Sequence, residues 1–195
     1  MKKLLASFIV VFLFAVSPIF AQEAAEDHLA FMGIPITGNV DSFAKNLAKK
    51  GFTKNASLSS DEMLCLTGKF TNKEVVVALV SSEKTNDIFR VGVMYEPQTS
   101  WELLSKRYDY LVDLFSKKYG SPEKSIKELG SGYDGNLCIM GFHLEESKYA
   151  TSWSLPNGII QIFINTVSSD SASIIIVYED AAGAQSLSNE SMDDI

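Results

Sequence analysis

The side chains best suited to bond-making or metal chemistry are few: two cysteines, Cys65 and Cys138, and two histidines, His28 and His143. A cysteine nucleophile needs a base within hydrogen-bond reach, a third group to orient that base, and an oxyanion site. His143 could serve as the base for a thiol, but no local signature marks the other two parts. No i, i+4 histidine pair or Cys-x-x-Cys spacing is present for a transition metal. The acidic pairs Asp61-Glu62 and Glu145-Glu146 lack the alternating oxygen ligands of a calcium loop. The G-x-S-x-G, G-x-G-x-x-G and Walker patterns do not occur. The residues thus predict no catalytic residue, no metal and no cofactor, and an enzyme with an unrecognised site ranks behind two classes of binding protein. Asp170-Ser171-Ala172 has the form of an O-glycosylation acceptor of some bacterial envelopes and equally that of a turn.

The chain of 195 residues opens with Met1-Lys2-Lys3, an apolar run from Leu4 to Val16, Pro18, and Ile19-Phe20-Ala21 before Gln22-Glu23. This is the layout of a signal peptide over residues 1–21, followed by an acidic, alanine-rich leader over 22–28. The apolar run is shorter than the roughly 20 residues a spanning helix needs, so no stable membrane anchor is expected after cleavage at Ala21. The predicted location is periplasmic or secreted. In such an oxidising compartment Cys65 and Cys138 form one possible disulfide, which would contribute about 4 kcal/mol in the chain-entropy view. Both also sit in apolar runs where a thiol packs as a small hydrophobe, and that alternative stays open. The full chain carries a net charge of −7, and removal of Lys2 and Lys3 leaves 15 basic against 24 acidic groups, or −9. A field of that sign repels phosphate backbones, and no basic stripe offsets it, which excludes nucleic acid as a partner.

Positioning falls to a single α+β domain over 29–180. Val40, Phe43, Ala44, Leu47 and Ala48 recur at helical spacing, with Lys49-Lys50 and Gly51 as the stop. Three strands follow, Met63 to Phe70, Glu74 to Val80 and Ile88 to Tyr95, joined by short polar turns that favour antiparallel pairing. Thr99-Ser-Trp-Glu102 has the form of a capping box, and Trp101, Leu104, Tyr108, Leu111, Val112, Phe115 and Tyr119 make the stripe of a second, longer helix ended by Gly120-Ser121-Pro122. Strands are predicted at Lys124 to Leu129, Lys148 to Leu155, Ile159 to Val167 and Ser173 to Asp180, while Asn136 to Glu146 fits strand or helix equally. Residues 181–195 are small, polar and acidic, so a disordered tail is expected. The expected architecture is two helices packed on an antiparallel sheet.

In the strand Ile159 to Val167 the even positions Ile160, Ile162 and Ile164 are uniformly apolar, and this face should meet the helices. The other faces of the late strands are mixed, with Arg90, Met94, Gln161, Phe163, Asn165, Ile175 and Val177 alternating out of the core. A water-facing sheet normally shows a cleaner polar row. Cover from within the molecule and cover by a protein partner in the envelope or outside the cell both account for it. The leading functional expectation is a non-catalytic binding module that uses those seven residues. The alternative is a small-molecule or lipid binder with an apolar pocket between the second helix and the sheet, lined by Trp101, Tyr108 and Phe163.

The pattern Met32-Gly-Ile-Pro-Ile-x-Gly38, Phe43, Lys50-Gly-Phe52, Leu66-x-Gly-x-Phe70, Trp101-x-x-Leu104 and Lys118-Tyr-Gly-x-Pro122 resembles an uncharacterised family of small exported bacterial proteins. The resemblance spans most of the chain after residue 21 and implies export and fold but no chemistry. The chain lacks a cysteine near Lys148-Tyr149 that goes with that pattern. The architecture also resembles the beta-lactamase-inhibitor-protein-like modules of bacterial envelopes, at the level of fold. Tandem repeats over 29–97 and 98–180 are suggested by Phe43-Ala44-x-x-Leu47-x-Lys49-Lys50 set over Leu111-Val112-x-x-Phe115-x-Lys117-Lys118, and by Leu64-Cys65-Leu66-x-Gly68 over Leu137-Cys138-Ile139-x-Gly141.

Overall fold

The computed structural model describes residues 28–60 and 63–192; the expected signal peptide and most of the leader lie outside them. Alternating apolar positions, which must be dried on one side only, dictate one large sheet. In chain order the elements are β1 (Ala30–Phe31), β2 (Ile34–Pro35), α1 (Val40–Ala48), β3 (Thr53–Lys54), β4 (Met63–Phe70), β5 (Lys73–Ser81) and β6 (Ile88–Tyr95). There follow α2 (Trp101–Tyr119), β7 (Lys124–Glu128), α3 (Leu137–His143), β8 (Lys148–Leu155), β9 (Gly158–Ser168), β10 (Ser171–Asp180) and α4 (Ala181–Met192). Eight strands form one antiparallel sheet in the order β3-β4-β5-β6-β10-β9-β8-β7.

Pairing places Val77, Val93, Ile176 and Ile162 in one row across the sheet, with Leu79, Val91, Tyr178 and Ile160 in the next. All eight are buried and belong to the core that also takes in α1 through Val40, Phe43 and Leu47 and α2 through Leu104, Tyr108, Leu111 and Phe115. The isoleucines at 160, 162 and 164 therefore face the helices. Phe31 and Phe115 both pack on Tyr178, with centroid separations of 5.3 and 6.1 Å, so one ring on β10 joins the two halves of the core.

Turn chemistry follows residue type in most places. The β4–β5 hairpin has Thr71 and Asn72 at φ 48° and 62°, the left-handed pair required of a two-residue type I′ loop. Threonine disfavours this region, and its hydroxyl is held there by Tyr95 Oη at 2.7 Å and by a hydrogen bond from the Arg107 guanidinium at 2.6 Å. Gly68 lets the Phe52 ring lie on β4; a Cβ there would fall 2.5 Å from the ring.

Several expectations are corrected. The described residues form four helices rather than two. The ambiguous segment holds the short helix α3, because Cys138, Ile139 and Phe142 share a buried helical face. Leu137–Gly141 is thus helical where Leu64–Gly68 is a strand, so that pair of apolar runs does not occupy equivalent places. The cap of α2 is Ser100, which accepts from the Leu103 amide, rather than Thr99. Residues 181–192, expected to be disordered, form α4. The cause is a carboxylate at the end of β10. Asp180 is fully buried and accepts hydrogen bonds from the amides of Leu29 at 2.8 Å and Gly183 at 2.9 Å, with His28 Nδ1 at 2.9 Å. It caps α4 and fastens the start of the domain with one side chain. Gly183 rests on Phe89, while near the far end Glu190 accepts from the Ser82 hydroxyl at 2.5 Å and its carbonyl from Lys84 Nζ at 3.0 Å.

Replacing Asp180 by alanine strands one buried amide and one part-buried amide and is expected to cost about 2 kcal/mol, since each orphaned donor forfeits desolvation free energy to the extent that it is buried. Urea unfolding followed by tryptophan fluorescence should show the lowered midpoint, with a smaller loss for Asp180→Asn.

Candidate functional site

The seven residues singled out from sequence all lie on the sheet face opposite α1 and α2. Met94 pairs with Ile175, Ile175 with Phe163 and Phe163 with Ala150; in the adjoining row Gly92, Val177, Gln161 and Ser152 follow one another. Arg90 pairs with Glu179, and Asn165 with Ser173. Ile175 is buried by its neighbours, while Met94, Val177, Gln161, Phe163, Asn165 and Arg90 are half-buried. Val76 and Ile126, also half-buried, extend the same row to β5 and β7. The face therefore runs as an aliphatic and aromatic band with polar side chains along it.

Arg90 differs from the other six. Its guanidinium donates through Nε to Glu179 at 2.8 Å and forms an ion pair with the same carboxylate. It also stacks 5.4 Å from the Phe89 ring, on which Gly183 of α4 rests. Arg90 closes the α4 end of the face, with two of its five N–H donors directed at Glu179.

At the opposite side, β7, β8 and β9 shape a shallow depression of about 350 Å³, counted with the space open to solvent, with Ile126, Ala150, Ser152, Gln161 and Phe163 in its lining and Lys124 and Lys148 at its margins. Sequence reasoning found Gln161 and Phe163 but missed Ile126, Ala150 and Ser152. The signal lies in Ile126, an apolar residue alone in the otherwise polar run Lys124-Ser-Ile-Lys-Glu128. Such a depression can seat an apolar side chain against Ile126 and Phe163 while the Gln161 amide and Ser152 hydroxyl meet polar groups beside it.

The helix side presents a different picture. Trp101, Phe142, Tyr149 and Tyr108 pack ring against ring at centroid separations of 5.2–5.7 Å. The Tyr108 hydroxyl bonds to Thr151 Oγ1 at 2.8 Å, which in turn meets Ser125 at 3.0 Å. Phe163 is on the other face, so the structure does not bring Trp101, Tyr108 and Phe163 to one pocket. Trp153 is core, donating from Nε1 to the Gly120 carbonyl at 2.9 Å.

Cys65 and Cys138 are free and buried. Between β4 and β9, on which α3 packs, stand β5, β6 and β10, four steps of about 4.8 Å or roughly 19 Å, far beyond the reach of a disulfide. Burial pushes the Cys65 thiol up to about 11, and burial and then the Asp134 charge raise that of Cys138. Both favour the protonated, weakly nucleophilic form. His143 is exposed at the end of α3, and His28 is engaged with Asp180. Ser171 sits at the β9–β10 turn, where its hydroxyl meets that of Ser168 at 2.6 Å. Among the described residues no three His, Cys, Asp or Glu side chains converge, and no helix is long and apolar enough to cross a membrane.

Comparison with protein-family models, with curated proteins and with solved structures returned no match. Whatever function is assigned must come from this geometry.

Two measurements follow from the buried groups. At pH 8 a thiol titrating near 11 is ionised in about one molecule in a thousand, so Cys65 should react with Ellman's reagent at least 100-fold more slowly in the native protein than in 6 M guanidinium. Burial also pushes Tyr108 up to about 12 from 10, so its contribution to stability is complete below pH 10 and lost as pH rises from 10 through 12. Alkaline unfolding should be less steep in Tyr108→Phe than in the parent, as read by circular dichroism.

Proposed function

We propose that this chain is an exported, non-catalytic binding module whose open sheet face, Met94, Val177, Phe163, Gln161 and Asn165 with the β7–β9 depression, receives a protein partner. The observation that carries the reading is the band itself: apolar side chains from five successive strands remain only half-buried in the middle of a sheet whose other face carries the core. Leaving them wet is unfavourable by roughly 25 cal/mol per Å² of apolar surface, a free energy that association recovers. Six strands at about 4.8 Å spacing, read over five residues each, offer roughly 400 to 500 Å², about half of one partner's share of a standard interface. The β5–β6 and β9–β10 turns supply the remainder.

The same reading extends to architecture, as a tandem of two helix-plus-meander units. Each half runs helix, short edge strand, then three strands, as α1-β3-β4-β5-β6 and as α2-β7-β8-β9-β10 with α3 inserted before β8. The sheet order reverses at the β6–β10 seam, as expected if two like units meet through their last strands. In this scheme β4 corresponds to β8, and each unit gives half of the open face.

Photo-crosslinked pull-down of the tagged protein from its native envelope extract tests the surface. Phe163→Asp should reduce recovery of a captured protein at least tenfold, with an unchanged circular dichroism spectrum. Equal recovery by the parent and by Phe163→Asp would exclude this face.

A further inference from the structure

The two long helices differ in the side chains they leave exposed; on α2 the apolar ones lie along the flank beside the β4–β5 turn, next to the buried row Leu104, Tyr108, Leu111 and Phe115. Along α1 the exposed positions are Asp41, Ser42, Lys45, Asn46 and Ala48, an ordinary solvated face. Along α2, Leu103 is 59% exposed, Tyr110 50% and Leu114 36%. With Arg107 they stand at 103, 107, 110 and 114, the alternating four-and-three spacing of a helix seam. This strip is on the opposite side of the sheet from the binding face and does not depend on that face having a partner.

The order of residue types along the strip is the informative feature. From 103 to 114 it reads Leu103, Lys106, Arg107, Tyr110, Asp113, Leu114. Turned end for end against itself, leucine meets leucine at both ends, Arg107 meets Tyr110, and Lys106 meets Asp113. In an antiparallel helix pair the seam positions 103 and 107 oppose 114 and 110, and the flanking positions 106 and 113 oppose one another on one side of the seam. Each contact occurs twice, as an isologous two-fold interface requires.

The free protein holds these groups ready for exchange. Lys106 bonds Glu102 at 2.6 Å and Asp113 bonds Lys117 at 2.6 Å; all four side chains are more than 60% exposed, and such pairs are weak in water. The Arg107 guanidinium is 5.0 Å from the Tyr95 ring and 5.1 Å from Tyr110, and its Nη2 donates to the Thr71 carbonyl at 3.0 Å. It is thereby fixed in place on the strip, so little order has to be imposed when a second tyrosine approaches.

We propose that the flank of α2 carrying Leu103, Arg107, Tyr110 and Leu114 pairs antiparallel with the same flank of a second copy of this chain, in a two-fold dimer centred between Arg107 and Tyr110. Overlap of about 16 residues spans about 24 Å. Three large apolar side chains per helix bury less than the roughly 800 Å² per partner of a standard interface, so the dimer exchanges with monomer in the micromolar range.

Sedimentation velocity on the purified protein from 1 to 200 µM tests this. The parent should move from monomer to dimer across that range. Leu114→Asp should weaken dimerisation at least tenfold. Lys106→Asp, which sets like charges against each other, should weaken it about fivefold, and the double variant Lys106→Asp, Asp113→Lys should restore it. Circular dichroism confirms that each variant is folded. A parent monomeric at 200 µM, a dimer indifferent to Leu114→Asp, or a double variant as weak as the single one would each overturn the antiparallel pairing. Any of these results would leave the sheet-face reading intact.

Discussion

The structure depends on the register in which β10 lies between β6 and β9. Val93, Ile176 and Ile162 align across those strands, as do Val91, Tyr178 and Ile160, and that alignment delivers both rows to the same side. A slip of one residue would turn Ile174, Ile176 and Tyr178 outward and bring Ile175, Val177 and Glu179 into the core. The register is pinned at both ends: Ser173 Oγ donates to the Tyr95 carbonyl at 2.6 Å, and the Arg90–Glu179 ion pair crosses the same seam. A polar bond inside the sheet and a charged pair on its open face therefore agree on one alignment, which is the agreement between local and global preference that marks a specified fold.

That constraint also explains why the two faces differ. Once α1, α2 and α3 have dried one side, the sequence has to place something at the alternate positions, and it places Met94, Val177 and Phe163 where Lys, Thr or Glu would serve solubility better. The open face is consequently more apolar than an antiparallel sheet with water on that side needs to be. Charge is concentrated instead on the edge strand β7, where Lys124, Lys127 and Glu128 flank Ile126, an arrangement that discourages edge-to-edge pairing with another sheet.

Much of this arrangement is legible in the residues. The isoleucine alternation at 160, 162 and 164, the stripe from Leu104 to Phe115, and the polar turns locate the seven longer strands and the helices α1 and α2 to within a residue or two, because burial on one side writes a period of 2 or 3.6; the two-residue strands β1, β2 and β3 are too short to show one. The open-face residues follow from the same alternation. What was hidden depends on contacts distant in sequence. Residues 181–192 carry no amphipathic period, and their helix forms because Asp180 caps it and because Gly183 and Glu190 find Phe89 and Ser82. The helix at 137–143 is too short to display its period, and the part of Ile126 and Ala150 in the depression appears only when β7, β8 and β9 stand side by side. Arg90 reads from sequence as one of the partner-facing residues, and its pairing with Glu179 becomes visible only with β6 beside β10.

The buried carboxylate of Asp180 ties residues 28 and 29 to residue 183, and all three donors meet it within 3 Å. During synthesis the first of these is made long before the acceptor, so residues 28 and 29 gain this anchor only once β10 is complete, although Leu29 and Phe31 already meet Ile36 and Phe70. The central seam has the same timing, since β6 waits for β10. Partial chains thus hold an unsealed sheet with two open borders, a state with high contact order and slow closure. Closure of the sheet and anchoring of the domain's opening therefore come together, with the arrival of β10.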